Sequence, residues 1–199
     1  MNKEEILNEI KQEALDNHVP IIEDDSLEYI ENILKQVKPN KILEVGTAVG
    51  YSAIHFSKYL YGENSKIKTL EIKENMYNKA MENIAKMELG DKIEVVLTDA
   101  GEYMKQIPTE EKYDIIFIDA AKGQYLVYLE EAIRLSHSGT IIIADNMLYR
   151  GRTLSDYNEH KHRTATNRLR EYLEIMKEDS RLESELIMVG DGLAISKVK

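Results

Sequence analysis

Cysteine is absent from the 199 residues, which excludes disulfides, cysteine nucleophiles and thiolate zinc sites and fits a cytoplasmic protein. Long apolar runs are missing too. None approaches the roughly 20 residues of a bilayer-spanning helix, so no membrane partner is expected. Positive charge is in short supply: 26 Lys and Arg face 36 Asp and Glu, a net charge of −10. That balance argues against nucleic acid, whose phosphates need local positive charge. The first 17 residues are charged and amphipathic without an apolar h-region, so they are not expected to act as a signal peptide. No internal repeat, low-complexity tract or interdomain linker interrupts the chain. The expectation is one domain over residues 1–199, with N-terminal helices at 3–37 packed on it.

The composition, 43% hydrophobic and 31% charged, is that of an ordinary folded protein. Against the acidic total, one segment is basic. It holds Arg150, Arg152, Lys161, Arg163, Arg168 and Arg170, with His160 and His162 among them, opposed by Asp156 and Glu159. Such a run reads either as a solvated helix face or as a phosphate-binding patch.

Short β-rich runs alternate with longer helical periods, the signature of βαβ units and a mainly parallel sheet. Helices are expected at 3–17, 26–37, 51–61, 75–89, 125–136 and 163–179, with a short one bounded by Pro108. Asp24-Asp25-Ser26 suits an N-cap, and Gly90 a helix end. Strands are expected at 41–45, 67–72, 92–98, 113–118, 140–144, 185–189 and 193–198. The last two flank Gly190-Asp191-Gly192, a hairpin signal. The expected class is α/β, a doubly wound, mainly parallel seven-stranded sheet with an antiparallel last strand. Ligands of such sheets sit beyond the carboxyl ends of the strands.

Chemistry is therefore sought at those ends. Gly46-Thr47-Ala48-Val49-Gly50-Tyr51-Ser52 follows the first strand; its glycines let backbone approach a ligand, although a strand-to-helix turn also carries glycine for structural reasons alone. The spacing is not the Gly-x-Gly-x-x-Gly of dinucleotide folds, which disfavours an oxidoreductase. Glu71 ends the second strand, one βα unit later, where a carboxylate accepts bonds from both ribose hydroxyls of a nucleoside. Asp99-Ala100 follows the third strand and offers an acceptor to an adenine amino group.

The fourth and fifth strands run into Asp119 and into Asp145-Asn146. On neighbouring strands, about 4.8 Å apart, two carboxylates and an amide converge. Those oxygens suit Mg²⁺ or a similar divalent cation; the other reading is that one aspartate caps the next helix. Lys122 lies three residues past Asp119, and near a cation its ammonium form is disfavoured, as a general base requires.

Four segments in this order, Ile42–Ser52, Phe117–Tyr125, Ala144–Leu148 and Val189–Leu193, resemble the cation-dependent O-methyltransferases of the catechol and caffeoyl-CoA type. Within that family, His18-Val19-Pro20-Ile21-Ile22, the Asp119–Tyr125 segment and Gly192–Lys197 are most similar to a bacterial branch that methylates 5-hydroxyuridine at the tRNA wobble position. Ala120 and Ala121 stand where catechol enzymes carry bulky aromatics and plant enzymes an acid, which implies a more open pocket mouth.

The resemblance implies S-adenosylmethionine held by Ile22, Gly46, Ser52, Glu71, Asp99, Ala100 and Asp119, and Mg²⁺ by Asp119, Asp145 and Asn146. It implies catalysis by Lys122 as base with Asp119, and a homodimer. With a tRNA anticodon stem-loop as partner, Arg150, Arg152, Lys161 and Arg163 become candidate RNA contacts. The rival readings are a small-molecule O-methyltransferase acting on catechol-like or caffeoyl-CoA-like acceptors and a non-catalytic nucleoside-binding module.

Overall fold

A computed structural model describes residues 2–157 and 159–199. The chain divides into two units, residues 1–100 and 101–199. The class is α/β and Rossmann-like, with seven mostly parallel strands and an antiparallel terminal pair.

The first unit carries α1 (Lys3–Asp16), α2 (Asp24–Val37), β1 (Lys41–Val45), α3 (Tyr51–Ser57), β2 (Lys66–Glu71), α4 (Glu74–Lys86) and β3 (Ile93–Leu97). Its strands run parallel in the order β3-β2-β1. Ile42, Leu43 and Val45 of β1 are fully buried, as expected of a parallel strand covered on both faces. Helix α2 buries Leu27, Ile30 and Leu34, one stripe at helical spacing.

Three local expectations need correction. Helix α2 begins at Asp24 with Glu23 as its N-cap residue, and no side chain caps it. The Asp25 carboxylate instead accepts from the Ser26 N–H at 2.9 Å. Helix α3 ends at Ser57 rather than 61. Helix α4 ends at Lys86, and the left-handed residue after it is Glu88 (φ 58°), not Gly90.

The second unit carries α5 (Ala100–Gln106, its first residue at the boundary), β4 (Tyr113–Ile118), α6 (Tyr125–Arg134), β5 (Ser136–Ala144), α7 (Arg163–Glu178), β6 (Leu182–Ile187) and β7 (Leu193–Val198). A single 3-10 turn, Lys122–Gln124, precedes α6. The strand order is β4-β5-β7-β6, parallel between β4 and β5 and antiparallel thereafter. Strand β5 starts four residues before the expected Thr140, because Ser136 already pairs with Tyr113 ahead of a register shift. Thr140 bridges that irregularity: its hydroxyl donates to the Tyr113 carbonyl at 2.6 Å and accepts from the His137 N–H at 3.0 Å. Strand β6 lies slightly earlier than expected, while β7 and the glycine turn before it match. No helix among the described residues is long and apolar enough to cross a membrane.

Candidate active site

In the first unit the turn after β1 is shaped by positive φ angles at Gly46 (99°), Ala48 (47°) and Gly50 (82°). A β-carbon at Gly50 would meet nothing closer than 3.5 Å, so the left-handed backbone, not crowding, calls for glycine there. The Ala48 N–H donates to Glu71 Oε2 at 2.8 Å, while Glu71 Oε1 accepts from the N–H groups of Ile72 (3.0 Å) and Lys73 (2.8 Å). Glu71 is thus fixed at the end of β2, with both oxygens oriented by backbone donors.

Beneath the turn lies a polar cluster that the sequence reading did not single out. Glu44, wholly buried on β1, accepts from the hydroxyls of Ser52 and Thr69, each at 2.5 Å, and Thr69 pairs with the Thr47 hydroxyl at 2.7 Å. Glu44 and Thr69 are register partners across β1 and β2. An acid among the buried apolar residues Ile42, Leu43 and Val45, with a threonine in the neighbouring run, was the available signal. Ser52, expected at the cofactor, therefore directs its proton to Glu44. Ile22 is buried just ahead of α2, Asp99 is half-buried after β3, and Ala100 opens α5.

In the second unit the parallel register Ile118↔Ala144 sets Asp119 and Asp145 at adjacent strand ends. Asn146, in the left-handed region (φ 61°), turns its amide nitrogen to Asp119 Oδ1 at 3.2 Å. Its backbone N–H donates to Asp145 Oδ1 at 2.6 Å. Lys122 reaches the same place: Nζ lies 3.3 Å from Asp119 Oδ1, 3.4 Å from the Asp145 carbonyl and 2.6 Å from the Tyr125 hydroxyl. The Tyr125 hydroxyl in turn donates to the Asp145 carbonyl at 3.0 Å. Burial, and then the nearby Asp119 and Asp145 charges, push the Tyr125 phenol well above its ordinary pKa. The four residues expected to act together, Asp119, Lys122, Asp145 and Asn146, are therefore brought together, with Tyr125 as a fifth member.

Among the described residues no group of three or more His, Cys, Asp or Glu side chains could hold a metal ion. The expected cation set contains only two such side chains, its third member being an amide. Two carboxylates and an amide oxygen are nonetheless hard oxygen donors of the kind Mg²⁺ takes alongside water. The donor chemistry fits the ion.

Three of the six cations of the basic segment, Arg152, Arg168 and Arg170, are engaged within the protein. The Arg170 guanidinium donates to the carbonyls of Thr153 (3.0 Å), Arg152 (3.1 Å), Ser155 (2.5 Å) and Tyr157 (3.1 Å). The Arg152 guanidinium lies over the rings of Tyr149 and Tyr157, at 5.0 and 5.2 Å from their centroids. Arg168 pairs with Glu171 at 2.8 Å. His162 accepts or donates at the Tyr149 hydroxyl (3.0 Å), and burial, followed by the Arg152 and Lys161 charges, lowers its pKa. Arg150, Lys161 and Arg163 are exposed.

A glycine turn after the first strand and an oriented acid at the end of the second are features of Rossmann-like sheets that bind a nucleoside group. The O-methyltransferase family model matches residues 1–199. A catechol O-methyltransferase of Niastella koreensis is 30% identical, over 86% of this chain and 79% of its own length. Tapetum-specific methyltransferase 1 of Arabidopsis thaliana is 29% identical, over 97% of this chain and 86% of its own. The crystal structure of an O-methyltransferase from Bacillus cereus in complex with SAH superposes with a TM-score of 0.88 at 28% identity, covering 98% of this chain and 91% of that one. This chain belongs to the O-methyltransferase family, the S-adenosylmethionine-dependent enzymes of the catechol and caffeoyl-CoA type.

Proposed function

We propose that this enzyme methylates one of two neighbouring oxygens on a small, catechol-like acceptor, with a divalent cation held by Asp119, Asp145 and Asn146. The observation that carries the reading is the gathering of those three residues with Lys122 within hydrogen-bond reach of one another at the ends of β4 and β5. The names of similar proteins, catechol and caffeoyl-CoA O-methyltransferases, support the acceptor class.

When bound, the cation supplies charge that lowers the acceptor hydroxyl's pKa and fixes its orientation. Glu71 accepts the ribose hydroxyls of the cosubstrate, and the turn at Gly46 lets backbone approach it, with Ile22, Ser52, Asp99 and Ala100 completing that site. Lys122 takes the acceptor's proton. The oxygen then forms its bond to the methyl carbon as the carbon–sulfur bond breaks, leaving S-adenosylhomocysteine. Alignment of the two substrates supplies much of the acceleration.

The test is methyl transfer from S-adenosylmethionine to catechol, with Mg²⁺ and with EDTA, by the wild type and by Lys122→Ala. The variant is expected to bind the cosubstrate as the wild type does and to lose at least about 100-fold in turnover. Undiminished turnover removes Lys122 from the mechanism, and turnover indifferent to EDTA removes the cation.

The exposed Arg150, Lys161 and Arg163 favour a second reading, in which the acceptor is 5-hydroxyuridine in a tRNA anticodon stem-loop and the product 5-methoxyuridine. The engagement of Arg152, Arg168 and Arg170 within the protein weakens it. Hypomodified tRNA offered beside catechol separates the two acceptors. Neutralising Arg150, Arg152 and Lys161 together should then lower stem-loop affinity and its salt dependence. A homodimer belongs to the same proposal, read by sedimentation equilibrium.

A further inference from the structure

We propose that Tyr125 is a positioning residue that aims the Lys122 amine at the acceptor hydroxyl. The inference deepens the proposed function and rests on its assignment of Lys122 as the base.

A lysine nitrogen must be held to act at one atom, because its flexible four-carbon stem carries about 2 kcal/mol of rotamer entropy. Lys122 opens the 3-10 turn Lys122–Gln124, and its side chain is only 15% exposed. Three oxygens surround Nζ, and the nearest by far is the Tyr125 hydroxyl at 2.6 Å.

The proton count at that hydroxyl fixes the direction of each bond. A phenol has one proton, and the Asp145 carbonyl, which can only accept, lies 3.0 Å away. The phenol proton therefore goes to Asp145, and its oxygen accepts from Lys122. Nζ directs its N–H groups to the Tyr125 oxygen at 2.6 Å, to Asp119 Oδ1 at 3.3 Å and to the Asp145 carbonyl at 3.4 Å. The shortest of these bonds fixes the end of the flexible stem and holds the amine beside Asp119 and Asp145 at the strand ends.

The phenol is itself enclosed by the protein. Tyr125 is wholly buried at the first position of α6, its ring packed edge-on against Tyr172 with centroids 6.0 Å apart. Through its two bonds it ties the base to the main chain that carries Asp145 and Asn146.

Tyr125→Phe removes only the oxygen and keeps the ring, whose centroid lies 4.7 Å from Nζ. With S-adenosylmethionine, Mg²⁺ and catechol, kcat is expected to fall about 10- to 100-fold, the effect of a reacting group misplaced by about 1 Å. The KM values for both substrates should stay within about two-fold. In a Lys122→Ala background the same change should alter the residual rate by less than about two-fold, because the group through which Tyr125 acts is gone.

Crystal structures of the wild type and Tyr125→Phe supply a readout independent of turnover. Nζ should sit against the phenol oxygen in the first and move by about 1 Å or more, or lose order, in the second. An unchanged kcat, an equal loss in both backgrounds, or an unmoved Nζ overturns the inference. A wild type that leaves catechol unmethylated overturns the acceptor assignment instead, and the pair of crystal structures still decides the role of Tyr125.

Discussion

Replacing Thr69 by valine tests whether the buried cluster under the glycine turn holds the first unit together. Valine keeps the shape and the β-branch of threonine, so the strand and its packing are retained while the hydroxyl is lost. Two bonds disappear: the one donated to Glu44 Oε2 at 2.5 Å and the pairing with the Thr47 hydroxyl at 2.7 Å. A hydrogen bond to a charged group contributes about 1.5–3 kcal/mol and a neutral one about 1 kcal/mol. Both are in the fully buried interior, where Glu44 and Thr69 have no access to compensating solvent. The expected loss is about 2.5–4 kcal/mol, or a Tm lower by roughly 5–15 °C for a chain of this size. Ser52→Ala removes only the bond to Glu44 Oε1 and should cost about 1.5–3 kcal/mol, so the ranking of the two variants is itself a prediction. Thermal unfolding followed by circular dichroism reads both. A Tm within about 2 °C of the wild type for Thr69→Val would refute the reasoning, as would a larger fall for Ser52→Ala.

Gly192→Ala should lower Tm by roughly 4–8 °C, because its β-carbon would lie 2.6 Å from Leu148 Cγ and 3.2 Å from the Leu148 nitrogen on a backbone with φ of 85°. Gly123→Ala, where nothing lies within 4 Å, is the matched control and should leave Tm unchanged. Burial lowers the His55 pKa below its ordinary 6.5, only partly offset by the Glu31 carboxylate. The unfolded chain then binds the proton more readily, so this group's contribution is complete above pH 6.5 and declines as pH falls below it. His55→Gln should flatten that part of the Tm–pH curve, and a curve parallel to the wild type would contradict it. Arg170→Ala leaves the carbonyls of residues 152, 153, 155 and 157 without its guanidinium, and trypsin or subtilisin should cut residues 148–157 at least about ten-fold faster. Equal cleavage rates would show that the loop is held otherwise.

Much of this protein was legible because its central strands β4 and β5 end in continuous apolar runs. β1, β4 and β7 occupy the ranges their runs predict, and Asp119 follows directly as the first polar residue past β4, as Asp145 and Asn146 do past β5. The helix ends were less legible. Gly90 was expected to close α4, yet Glu88 takes the left-handed position, since a C-terminal turn is chosen by packing as well as by side-chain freedom. Strand β5 begins early because its pairing with Tyr113 is a matter between strands, invisible in either run alone.

The sequence by itself determined the alternation of strands and helices, the glycine turn, and the acids at the strand ends, since each depends on periodicity or on the position of one residue within its run. Only the tertiary structure decided what those groups do with their protons. Thr69 reaches Glu44 across 25 positions and Tyr125 reaches the Asp145 carbonyl across 20. Arg170, read as a candidate for phosphate, turns to the carbonyls of its own loop. Hydrogen-bond partners of this kind are set by distance in space after folding, and the order of residues along the chain carries no record of that distance.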